Sequence, residues 1–255
     1  MSNSRRSRTS ARQLALFRRG GKRRGAGRKP KGSKALVSHE KREPLASRHP
    51  VFVTTRLRAG LPSLRSSDEF AVLEKAFAGS IAGTEQHGFR LVHFSVQSTH
   101  LHFIVEARDA RSLSQGIKGL LVRIARGLNR LWRRTGSMFT DRFHSRTLRT
   151  HREVRNTLVY VLQNAHKHGC LRVGVDPYSS GNEFDGWKSA PSSKPASNGS
   201  LHALKPRTWL LAHGWKRHGL IDPCERPGVK RIARRGSASP LLDMAALRRA
   251  ARRFR

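Results

Sequence analysis

Apolar residues recur along this chain with two different periods, and the switches between them mark the elements. Pro50-Val-Phe-Val-Thr-Thr-Arg-Leu57 alternates with period two, which predicts a strand. Gly60 and Pro62 punctuate the loop that follows. Ser67-Asp-Glu-Phe70 supplies an N-cap serine and acidic residues for a first helical turn. Phe70, Val72, Leu73, Phe77 and Ile81 then recur at helical spacing, and Gly88 ends that helix. From Arg90 to Glu106 two apolar runs meet at Ser98-Thr99, the pattern of a β-hairpin.

Ser112 to Arg134 reads as a second helix, apolar at Leu113, Ile117, Leu120, Ile124, Leu128 and Leu131. Met138 to Leu148 reads as a last strand. His151 to His168 reads as a third helix, with Val154, Leu158, Val161 and Leu162 as its buried stripe and Gly169 as its stop. The order is strand, helix, strand, strand, helix, strand, helix. It predicts an α+β fold, a ferredoxin-like antiparallel sheet with helices on one side, spanning residues 49–169.

The pattern weakens beyond Gly169. Residues 170–227 form a C-terminal extension with a turn at Asp176-Pro-Tyr-Ser-Ser-Gly and a Ser/Pro/Lys-rich loop from Ala190 to Ser200. One short helix is expected within Pro206–Gly219, packing through Trp209, Leu210 and Trp215. No internal repeat is found.

Charge changes the picture at both ends. The chain of 255 residues has a formal net charge of +36. Residues 1–48 carry +14 of it and residues 228–255 carry +8, so the central segment is basic in its own right. The ends are expected to be disordered basic tails. A charge excess of this size calls for a polyanion, with nucleic acid first and a membrane surface second. Within the arm, Arg24-Gly-Ala-Gly-Arg-Lys-Pro-Lys-Gly32 is thin, extended and cationic, and resembles an AT-hook. Arg28 and Lys29 are its candidate DNA contacts, in a minor groove or as an electrostatic tether. The second helix presents Lys118, Arg123, Arg126 and Arg130 with no acidic partner interleaved at i+4, which suits phosphate tracking.

Other classes are set aside. No apolar run of 18 residues exists, so no membrane span is expected. The basic N-terminus has no apolar core or small-residue cleavage site, so no secretory signal is expected. The two cysteines, Cys170 and Cys224, have neither disulfide-framework nor zinc spacing. A reducing, cytoplasmic and nucleoid-associated location is expected.

The candidate chemistry begins at His100-Leu101-His102. On a strand, positions i and i+2 share a face, so the two imidazoles sit side by side and suit one divalent ion. Tyr160 and Asn164 are one helical turn apart on the third helix. The amide oxygen of Asn164 is a candidate third ligand, and the Tyr160 hydroxyl a candidate nucleophile toward a phosphate. Gln163 lies about 100° around the helix from Asn164 and is set aside. His144 is a candidate phosphate contact. His166 and His168 are expected to sit at a helix C-terminus. Glu106 shares the strand face of His102 but lies too far along to ligate.

At these residues the chain resembles the single-tyrosine HUH transposases, those of small insertion sequences and the REP-associated tyrosine transposases. The signature is His-hydrophobic-His, here His100-Leu101-His102, followed on a helix by tyrosine and an amide four residues on, here Tyr160-Val-Leu-Gln-Asn164. Arg142-Phe-His144 and the basic second helix look like the REP-associated branch. The resemblance implies cleavage and rejoining of single-stranded DNA, often beside a hairpin. It implies Mg²⁺ or Mn²⁺ as cofactor, a 5′-phosphotyrosine, a free 3′-hydroxyl and no need for ATP. It also implies action as a monomer or a homodimer.

Two positions depart from the family pattern. Thr99 stands where many relatives have Asn, which predicts looser support for the first histidine. Ala165 replaces a proline after Asn164, which predicts a helix that runs on. The alternative reading is a domesticated, non-catalytic DNA-hairpin-binding protein or repressor. An RNA-binding reading lacks the aromatic strand motif it would need.

Overall fold

The computed structural model describes residues 43–81, 88–167, 174–189 and 203–228. All of these residues fall in one compact unit. The arm with Arg28 and Lys29, the loop 190–202, His168, Gly169 and the tail from residue 229 lie outside the described residues.

Four strands form one antiparallel sheet in the order β2-β3-β1-β4: β1 Val51–Arg56, β2 Phe89–Val96, β3 His100–Ala107 and β4 His144–Thr147. Helices α1 (Ser67–Ile81) and α2 (Ala110–Leu131) are the crossovers. This is the expected α+β, ferredoxin-like sheet.

Period two in β1 sorts its side chains. Val51, Val53 and Thr55 are buried, while Phe52, Thr54 and Arg56 face the other way. The Val51/Val53 face joins Phe94, Val96, Leu101, Phe103 and Val105 in one core beneath α1 and α2. Phe77 of α1 anchors it, with its ring 4.6 Å from Phe94 and edge-on to Phe103. Two glycines let α2 approach closely: a Cβ would meet the Phe89 ring at Gly116 and the Val72 side chain at Gly127.

The third helix, α3 (His151–Leu162), lies on the opposite face of the sheet. Its Leu158, Val161 and Leu162 share a second core with Val92, Ile104 and, at the margin, Phe52. The crossover helices thus take one side, as expected, and α3 takes the other. The reason is visible in β2 and β3, which are buried at almost every position and need cover on both faces. A bulge between Leu91 and His93 re-phases β2, so Val92 and His93 both reach the α3 side.

Element ends also differ from the sequence expectation. Asp109 caps α2 by accepting from the Ser112 N–H at 2.7 Å, so the helix starts before Ser112. Only four residues of the expected last strand pair with β1. The stretch before them is drawn to the end of β1 by Thr140 N–H to Arg56 O and Thr140 Oγ1 to Leu57 O. Thr150 and Glu153 form a capping box that starts α3. That helix ends at Leu162 rather than running to His168, and a separate turn, α4 (Asn164–Lys167), follows.

The extension packs on α3. Trp215 is fully buried in the second core beside Phe184, Leu211 and Ile221, next to the short helix α5 (Trp209–Ala212). Trp209, expected to pack, is half exposed, edge-on to His151 and covered by the Arg217 guanidinium at 5.2 Å. Arg155 of α3 donates to both Glu225 carboxylate oxygens at 2.7 and 2.8 Å, and to the Gly219 and Leu220 carbonyls. Glu225→Ala strands this buried guanidinium, and a loss of about 3 kcal/mol is expected. The urea unfolding midpoint reads it, and an unchanged midpoint would mean that the extension does not brace α3. No helix among the described residues is long and apolar enough to cross a membrane.

Candidate active site

Strand register builds the site. On β1, Thr54 pairs with His102 of β3 and His144 of β4, and Arg56 pairs with His100. His100 and His102 lie together as expected, with ring centroids 4.8 Å apart and planes at 81°. Each Nδ1 meets a threonine hydroxyl: His102 Nδ1 is 3.2 Å from Thr54 Oγ1, and His100 Nδ1 is 3.4 Å from Thr99 Oγ1. A ligating histidine is commonly oriented through one nitrogen while the other faces the ion. The pattern leaves Nε2 of each ring as the nitrogen that could ligate an ion. Thr99 offers its neighbour a long hydrogen-bond partner.

Tyr160 comes down from α3 onto this pair. Its ring is edge-on to His102 with centroids 5.1 Å apart, and edge-on to Phe52 at 5.8 Å. Partial burial raises the hydroxyl above the usual tyrosine pKa, so at neutral pH it is protonated. The structure thus unites His100, His102 and Tyr160 within one chain.

Asn164 is placed differently from the expectation of a continuous helix. Gln163 caps α3, and its amide donates to the Pro223 and Asp222 carbonyls of the extension. This pull ends the helix without a proline. It also engages the Gln163 amide nitrogen structurally. Asn164 follows at the start of α4, fully buried, and neither amide atom has a hydrogen-bond partner among the described residues. It makes no hydrogen bond to either histidine. Such a polar group costs roughly 1–3 kcal/mol unless something satisfies it. Among the described residues no three His, Cys, Asp or Glu side chains group for a metal; the set that could hold one is the imidazole pair, with this buried amide as a candidate third donor. Its chemistry, two neutral nitrogens and a buried amide oxygen, fits a divalent ion.

The remaining candidates separate. His144 is exposed on edge strand β4, on the same sheet face as His102 and two strands away, about 10 Å. Glu106 accepts from the backbone N–H groups of Arg207 and Thr208 and pairs with Arg90, so it tethers the extension. His166 Nε2 meets the Gly174 carbonyl at 2.8 Å, a structural contact. Lys118, Arg123, Arg126 and Arg130 are exposed on α2, across the sheet from the histidines. Arg123, Arg126 and Arg130 border a groove with Lys75 of α1, and Lys118 borders another with Arg142 and Phe143. These cations do not line the His–Tyr cluster.

Sequence reasoning missed Thr54, Arg56 and Arg146, which share the site face. Period two placed 52, 54 and 56 together, but only the register shows which residues they meet. It also missed His93, buried beside Ser180 and Phe184 with its pKa lowered to about 4 by desolvation, slightly opposed by Asp185. The unfolded chain binds this proton below pH 6.5 and the folded chain does not, so stability falls as pH drops from 6.5 toward 4. About 2 kcal/mol is expected to be lost from this group by pH 5. Denaturant melts of wild type and His93→Gln at pH 7 and 5 check it: the variant should lose less, and equal losses would refute it.

No protein-family model matches the sequence, and neither does any curated protein. Among solved structures, the chain is similar to a REP-associated tyrosine transposase bound to a REP hairpin. The identity is 17% and the TM-score 0.49, over 65% of this chain and 99% of that one.

Proposed function

We propose that this protein is a transposase-type enzyme that nicks and rejoins single-stranded DNA, with Tyr160 as nucleophile and a divalent metal held by His100, His102 and Asn164. The observation that carries the reading is the packing of the Tyr160 ring on His102, with His100 beside it on the same strand face. The net charge of +36 supports a nucleic-acid partner. Mg²⁺ or Mn²⁺ at this site would supply Lewis-acid polarisation of the scissile phosphate.

The chain's own residues do the rest. Thr54 fixes the ring of His102. Phe52 and His102 hold the Tyr160 ring, and the Arg155 and Gln163 contacts brace its helix. The Tyr160 oxygen attacks phosphorus and its proton passes to water at the partly open rim of the site. The P–O3′ bond breaks, and the leaving oxygen takes a proton to become a free 3′-hydroxyl. The 5′-phosphotyrosine conserves the bond energy, so a 3′-hydroxyl can reverse the step without ATP. His100, His102 and Tyr160 pack together within one chain, so this arrangement of the site calls on no residue of a partner. Lys118, Arg123, Arg126, Arg130 and Arg142 would steer DNA from outside the site.

The test is incubation with hairpin-flanked single-stranded DNA and Mn²⁺. A covalent protein–DNA adduct is expected. Tight binding without an adduct would replace this reading with the non-catalytic hairpin-binding one.

A further inference from the structure

Arg56 is the last residue of β1 and stands directly opposite His100 on β3. Directly paired residues on one sheet face have Cβ atoms about 5 Å apart. Arg56 is exposed, and no hydrogen bond or ion pair engages its guanidinium among the described residues. Around it on this face the register places Thr54, His102, His144 and, one row on, Arg146. None of these is acidic. The nearest acid on the β3 face, Glu106, is engaged by Arg207, Thr208 and Arg90.

A fixed positive charge beside a candidate metal site needs a reason. A guanidinium and a divalent cation repel, and the repulsion weakens metal binding unless an anion lies between them. A phosphate diester oxygen is such an anion. The guanidinium fork also matches its geometry, since it offers parallel N–H donors to two oxygens. Backbone position supports this further. Arg56 is on a strand, with its carbonyl held by the Thr140 N–H and its neighbour Leu57 bonded to the Thr99 carbonyl. The root of the side chain is therefore fixed by the same turn that carries His100.

We propose that Arg56 is a catalytic residue that binds a non-bridging oxygen of the phosphate attacked by Tyr160, from the side opposite β2. This rests on the reading of Tyr160 and the histidine pair given above. Charge building on the phosphate oxygens as Tyr160 attacks is stabilised by Arg56, with no bond to Arg56 made or broken.

The test compares Arg56→Gln and Arg56→Lys with Arg111→Gln, which removes one exposed charge at the start of α2, across the sheet. The probe is a labelled hairpin-flanked single-stranded oligonucleotide with Mn²⁺. Adduct formation under single-turnover conditions should fall ~100-fold in Arg56→Gln. Arg56→Lys should recover part of it, and Arg111→Gln should match wild type. In parallel, binding without metal is followed against salt, where Arg56→Gln should lower the log–log slope by ~0.7. Thermal melts should coincide, since Arg56 is exposed. If wild type and Arg56→Gln form adduct equally fast, the role of Arg56 is overturned and that of Tyr160 stands. If wild type forms no adduct, the enzyme reading fails, and an unchanged salt slope then overturns the phosphate contact as well.

Discussion

Tyr160→Phe is expected to abolish the covalent protein–DNA adduct while leaving DNA binding intact. The substitution removes one oxygen and keeps the ring that packs edge-on against His102 and Phe52. Removing a nucleophile costs far more than removing a contact, so adduct formation should fall by on the order of 10⁴-fold or more. The phenol is only partly buried, so the fold should keep its melting temperature. A gel-shift assay and a denaturing gel on the same samples separate binding from covalent capture. An adduct that survives in Tyr160→Phe at wild-type level would remove Tyr160 from the chemistry.

His102→Ala is expected to have the second-largest effect, and it can be read without any reaction. His102 is buried, oriented by Thr54 and in contact with both His100 and Tyr160. Losing an outer partner of a metal ligand typically costs 10–100-fold in affinity, so losing the ligand itself should weaken Mn²⁺ binding by more than ~100-fold. Calorimetry or spin-resonance titration with Mn²⁺ alone measures this. Adduct formation should fall in parallel, with DNA binding in the absence of metal unchanged. Stability should drop by only about 1–2 kcal/mol, the usual range for a single buried truncation. Equal Mn²⁺ affinity in the two proteins would show that the histidine pair is not the metal site.

Much of this arrangement was legible in the chain because it rests on short-range periods. Alternation around His100-Leu101-His102 puts both imidazoles on one face whatever the rest of the fold does. Helical spacing gives α3 its buried stripe and sets Tyr160 beside it. What the chain could not show depends on pairing between distant segments. The meeting of Arg56 with His100 is a matter of register, invisible until β1 and β3 are aligned. The position of α3 follows from apolar residues on both faces of β2 and β3, and the bulge after Leu91 conceals that pattern by shifting its phase. Gln163 ends α3 through carbonyls some 60 residues downstream, a tertiary pull that no helix propensity contains.

The basic stripe of α2 holds a related lesson. Its charges were readable, and so was the absence of acidic partners. Their distance from the chemistry was not, because α2 covers the face of the sheet that the histidines turn away from. Charge pattern identifies a partner class, whereas position decides whether a cation guides that partner or touches the reacting atoms. On this account Arg56 belongs to the second group, and Lys118, Arg123, Arg126 and Arg130 to the first.

The most direct test of the central claim is to map the DNA-linked residue. The adduct formed with hairpin-flanked single-stranded DNA and Mn²⁺ is digested with nuclease and protease, and the modified peptide is sequenced by mass spectrometry. The account predicts a nucleotide joined through its 5′-phosphate to Tyr160. Attachment at Tyr178, the only other tyrosine in the chain, at a serine or at a 3′-phosphate would contradict it.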